Sequence, residues 1–73
     1  MWNISVSGTK ADAHQSASDQ ADKCIAAGKM SEAQKAAVLA KIDAQGGPNV
    51  SGSVGGDDAN TATANFTGSL SSY

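Results

Sequence analysis

Residues 61–70, T-A-T-A-N-F-T-G-S-L, limit the fold most. Every second residue (Ala62, Ala64, Phe66, Gly68, Leu70) is small or apolar, and the set between them (Thr61, Thr63, Asn65, Thr67, Ser69) is polar and uncharged. A period of two is the signature of a strand, whose successive side chains leave by opposite faces, so the pattern predicts one buried face and one hydrogen-bonding face. The same grammar recurs at residues 2–8, W-N-I-S-V-S-G, and at residues 49–54, N-V-S-G-S-V. Three strands are therefore expected, around a middle that reads differently.

That middle carries apolar residues at helical spacing. Ala17, Ala21, Cys24, Ile25 and Gly28 form a narrow stripe on a first helix, begun by a Thr9 or Asp12 cap and ended at Gly28. After the short link Lys29-Met30, the run S-E-A-Q at residues 31–34 matches a capping box with Ser31 as N-cap and Gln34 reaching back. Val38, Leu39 and Ile42 give the second helix its apolar face, and Gly46-Gly47-Pro48 stops it near Ala44 or Gln45. So brief a link predicts an antiparallel helical hairpin. The expected fold is α+β, in the order β-α-α-β-β: a small three-stranded sheet with the helical hairpin on one face. Residues 55–60, G-G-D-D-A-N, read as the turn that joins the last two strands antiparallel. The third strand, with the longest alternating run, is expected at the centre of the sheet, and residues 70–73 as a polar tail.

At 73 residues the chain is one domain, 1–73. Its large apolar residues are few, and a domain of this size buries only about 60% of its unfolded surface, which favours an assembly component over a lone monomer. The charge of −2, five dispersed lysines and no arginine argue against a nucleic-acid partner. No apolar run approaches membrane-spanning length and no basic-then-apolar leader opens the sequence, so a soluble product that is not conventionally secreted is expected, and the single cysteine fits a cytoplasmic origin.

No catalytic constellation is visible. His14 and Cys24 lie ten residues apart on one expected helix, about three turns, too far for a nucleophile–base pair. Cys24 is the single cysteine, which excludes an internal disulfide and a thiolate cluster and suits a core position. Asp57, Asp58 and Asn60 lack the ligand number and the closing Glu of a calcium loop, and Asp and Gly are ordinary turn residues. Neither catalysis nor a cofactor nor a metal is expected. The N-x-S/T patterns at Asn3, Asn49 and Asn65 follow from the alternation itself.

The uncharged polar face is the feature without an ordinary explanation. Exposed sheet faces usually carry Lys and Glu, and lack of charge removes a guard against association. The face comprises Asn3, Ser5, Ser7, Asn49, Ser51, Ser53, Thr61, Thr63, Asn65, Thr67 and Ser69. The interface is expected at Ser5, Ser7, Ser51, Ser53, Thr61, Thr63, Asn65 and Thr67, with Trp2 and Tyr73 as aromatic anchors.

The opening W-N-I-S-V-S-G-T, the Ala-rich middle and the closing A-N-F-T-G-S-L together resemble small accessory proteins of tailed bacteriophages of actinobacteria. The resemblance implies a virion component, a minor capsid or decoration protein. Its partner would be the major capsid protein or another virion protein, with many copies or a homo-oligomer per particle. It supplies no catalytic residues. Two other readings compete: a soluble inhibitor that captures a host protein through a strand edge or the sheet face, and a small-molecule sponge built at an oligomer interface.

Overall fold

A computed structural model describes residues 1–57, 59–60 and 66–73. The order is β1 (Trp2–Val6), α1 (Lys10–Ala26), α2 (Glu32–Asp43), β2 (Val50–Gly56) and β3 (Thr67–Ser72). The sheet order is β1-β2-β3, antiparallel throughout.

Each helix boundary has a local cause. Thr9 caps α1, its hydroxyl accepting from the Asp12 N–H. At the other end the Gly28 N–H donates to the Ile25 carbonyl and the Lys29 N–H to the Cys24 carbonyl, the paired bonds of a Schellman stop with Gly28 at φ 75°. The capping box of α2 forms as expected: Ser31 Oγ accepts from the Gln34 N–H, and Gln34 Oε1 accepts from the Ser31 N–H. Across the hairpin, Lys10 Nζ donates to the carbonyls of Gln45 (2.5 Å) and Asp43 (3.4 Å), so a cation at the start of α1 satisfies orphan acceptors at the end of α2.

The core lies between the helices and one sheet face. Trp2, Ile4 and Val6 of β1 and Val50 and Val54 of β2 meet Val38 and Ile42 of α2, with Met30 of the link. From α1 the fully buried contributions are Ala13, Ala17 and Ala21, with Cys24 and Ile25 packed half-buried against the cluster. A stripe of alanines fills little space, so α1 must lie close to its neighbours for the interior to pack at native density.

Three sequence expectations are corrected. First, β2 and not β3 holds the centre of the sheet. Of the two hairpin strands, β2 sets Val50 and Val54 against the core, whereas β3 offers it only Leu70, half-buried, and so suits the edge. Second, Gly55 and Gly56 are strand, not turn: they pair with Asn3 and Trp2. A Cβ on Gly56 would lie 2.7 Å from Trp2 Cζ2, so the glycine is where the indole fits. Third, residues 70–72 are not a tail. Ser71 and Ser72 pair with Ser51 and Val50, and Tyr73 exchanges main-chain bonds with Asn49 in both directions. The ladder is built from peptide groups and continues where side-chain alternation has ended. The strand expected over residues 61–65 lies outside the described residues.

Candidate docking surface

The register assembles the polar face strand by strand. Ser5 stands opposite Ser53, and Ser53 opposite Ser69, giving a row of three serines across the sheet. Asn3, Gly55 and Thr67 form the next row, and Ser51 with Ser71 a third. A Cβ placed on Gly55 would lie 3.2 Å from Thr67 Oγ1 and 3.4 Å from Asn3 Oδ1, so these polar atoms share the side facing away from the core. Asn3, Ser5, Ser7, Thr67, Ser69 and Ser71 are exposed, and Ser51 and Ser53 half-buried.

The face carries no charge because the charged residues lie elsewhere. All five lysines, and the acids Asp12, Asp19, Asp22, Glu32 and Asp43, belong to the helices and their link, and Asp57 follows β2. Several are paired on the helical side. Lys35 Nζ lies 2.6 Å from Asp22 Oδ1, and this bond holds the lysine's pKa above its usual value. His14 Nε2 lies 3.7 Å from Asp43 Oδ2, an ion pair only when the imidazole is protonated. Among the described residues, no group of three or more His, Cys, Asp and Glu is placed to hold a metal ion. No described helix is long and apolar enough to cross a membrane.

The two aromatic anchors part company. Trp2 is 5% exposed, and its ring meets Phe66 edge-on with centroids 5.2 Å apart, so it belongs to the core and leaves the expected interface. The reason is parity: Trp2 shares the inward side of β1 with Ile4 and Val6. Tyr73 is 64% exposed at the end of β3, free to contact a partner. Thr61, Thr63 and Asn65 lie outside the described residues. Ser71, which sequence reasoning left in a tail, joins the face. Continuing the polar parity of Thr67 and Ser69 by two residues would have found it.

The two edges of the sheet differ. At β1, Gln20 of α1 lays its amide along the strand: Oε1 accepts from the Ser5 N–H (3.2 Å) and Nε2 donates to the Ser5 carbonyl (2.7 Å). The side chain thus takes the place of a neighbouring strand at the middle of that edge. These bonds also fix which peptide groups point where. Since the Ser5 groups aim away from β2, those of Ser53 aim toward β3, and the alternation leaves Gly68, Leu70 and Ser72 directing theirs to the free side of β3. Above β3, on the helical side, runs a groove of about 260 Å³ between the end of α2 (Lys41, Ala44, Gln45) and Val54, Phe66 and Leu70. Lys41 Nζ stands 5.5 Å from the Phe66 ring centroid at its rim.

Compared with known proteins, the chain matches no family model, no curated protein and no solved structure.

Proposed function

We propose that the chain is a non-catalytic assembly module that lays the outer face of its sheet on a protein surface presented in many copies. Following the sequence resemblance, that surface is the major capsid protein lattice of a virion, on which the chain serves as a small accessory or decoration protein. The observation that carries the reading is the three rows of Asn, Ser and Thr over a sheet without a charged side chain in any of its described strands. Short hydroxyl side chains lose little rotamer entropy when covered, and they can donate to or accept from a partner's backbone at the moment of contact. The absence of charge avoids the desolvation cost that Lys or Glu would impose at a buried interface. Modest affinity per copy is sufficient when the partner is a repeating lattice.

The test is mass spectrometry of purified particles from the producing host, with binding of the recombinant chain to particles lacking it. Stoichiometric presence, and loss of binding by Ser53→Lys and Ser69→Lys variants with unchanged circular dichroism, are expected. Absence from particles, or undiminished binding by both folded variants, overturns the proposal.

A further inference from the structure

We infer that the free edge of β3 pairs with the same edge of a second copy across a two-fold axis at Leu70, joining two three-stranded sheets into one of six. Among the described residues, this edge carries none of the usual guards. Exposed edges are normally defended by Lys, Pro, a bulge or a covering element. The β1 edge has Gln20 seated at its middle. Residues 66–73, F-T-G-S-L-S-S-Y, have no charge and no proline, and the groups of Gly68, Leu70 and Ser72 face outward.

Self-pairing follows from what the edge presents. With Leu70 opposite its own copy, antiparallel geometry sets Gly68 against Ser72, Ser69 against Ser71 and Thr67 against Tyr73, each with the partner's residue. The three outward residues of each copy then exchange about six main-chain bonds. No pair is bulky on both sides except Leu70 with Leu70, and those side chains lie on the groove side of the sheet, where the half-buried Leu70 lines the open space below α2. The partner's leucine closes each groove at its β3 end. The rim lysines do not collide: Lys41 stands over Phe66, and the two Phe66 positions fall about eight residues apart along the paired strands, roughly 26 Å. A foreign strand would satisfy the same peptide groups, but nothing on the edge selects its side chains, whereas the chain's own sequence is complementary at every position. Gln20 occupies the Ser5 position in the middle of the opposite edge, which disfavours extension beyond two copies.

This pairing is independent of the sheet-face reading, and the experiment separates the two. Sedimentation velocity of the purified chain over a dilution series is expected to show a dimer of twice the 7.2 kDa chain mass. Hydrogen exchange should slow at the Leu70 and Ser72 amides as the concentration rises. Leu70→Lys sets two like charges face to face at the axis, and Ser72→Pro deletes an outward N–H without touching the β2–β3 ladder. Each is expected to give a monomer with native circular dichroism, while Ser53→Lys, on the outer face, leaves the dimer intact. A wild-type chain that stays monomeric at millimolar concentration overturns the inference, as does a dimer whose Leu70 and Ser72 amides exchange no more slowly than in dilute solution. Should Leu70→Lys fail to fold, Ser72→Pro and wild-type exchange decide. Capture of a foreign strand in place of a second copy also overturns it, and none of these results by itself decides whether the outer face binds a particle.

Discussion

Replacing Gly52 by alanine puts one methyl group into the centre of the sheet. Gly52 sits on β2 at φ 132°, a conformation that side-chain-bearing residues rarely adopt. The added Cβ would lie 2.3 Å from the Ser69 carbonyl oxygen and 3.0 Å from Leu70 Cα. Both are backbone atoms of β3, so no rotamer change can clear the space. Either β2 abandons its local conformation or β3 moves away. Holding alanine at such a φ costs roughly 1–3 kcal/mol, and forcing an extra methyl group into occupied space costs about 1–3 kcal/mol more. Together the substitution should remove about 2–6 kcal/mol. For a chain of 73 residues, total stability at 0.05–0.15 kcal/mol per residue is about 4–11 kcal/mol. The variant should therefore lose about a fifth of its stability or more, and the loss should centre on β3.

Urea unfolding followed by the fluorescence of Trp2 measures the total, and exchange at the Ser69 and Ser71 amides locates it. The matched control is Gly46→Ala. Gly46 is exposed, has nothing within 4 Å of its built Cβ, and keeps an ordinary φ. It should be neutral or gain about 0.4–1 kcal/mol by restricting the unfolded chain. A Gly52→Ala loss below about 1 kcal/mol, with β3 amides still protected, would refute the reasoning, since it would place Gly52 near the glycines that accept alanine without strain.

The remaining predictions concern the edge, the helix seam and the surface charges. Gln20→Ala removes two side-chain bonds to the Ser5 backbone. At about 0.5–1.5 kcal/mol each it should cost roughly 1–3 kcal/mol and speed Ser5 amide exchange; unchanged exchange counts against the edge cover. Ala17→Leu overfills a fully buried site on α1 and should cost about 1–3 kcal/mol or more by thermal unfolding, while Ala11→Leu on the exposed side of the same helix should change little. Lys35 is held above its usual pKa by its hydrogen bond to Asp22, so the stabilisation is complete below the unfolded lysine value and fades as pH rises through the folded one. Alkaline unfolding of wild type and Asp22→Asn should show the difference between them narrowing over that window, and a difference constant with pH would disprove the linkage.

The fold was legible where chemistry is local. Ser31 and Gln34 announce a capping box because both partners lie within four residues, and Gly28 and Pro48 bound the helices for equally local reasons. The order of strands was not, because it depends on which strand places two valines against the helices, a comparison between segments. The misread Gly55-Gly56 shows the same limit. Paired glycines usually mean a turn, and only contacts with Trp2 and Asn3, more than fifty residues away in sequence, explain why Gly56 lies under the indole and Gly55 beside Asn3 within a strand. The polar face was legible for the described members because period two alone sets its parity. Gln20 carried no readable signal, since a glutamine on a helix is ordinary until a strand edge is found beneath it.

The distribution of charge ties the face to the edge. With lysines and acids confined to the helices, their link and the β2–β3 loop, the helical side alone keeps the chain in water. A monomer then exposes a neutral sheet and an unguarded strand on one side of a thin body 14 Å in its smallest dimension. Pairing through β3 leaves the face uncovered and doubles it, since the row of Ser5, Ser53 and Ser69 in one copy continues into the row of Ser71 and Ser51 in the other. The helices of both copies stay on the opposite side with all their charges. Two-fold pairing thus produces a plate with one charged and one neutral surface. Such a plate can lie only one way on a partner lattice. If the dimer forms, particle binding should weaken in Leu70→Lys through loss of bivalency even though no residue of the face has changed. Ser53→Lys should abolish binding with the dimer intact, so the two variants separate the edge from the face.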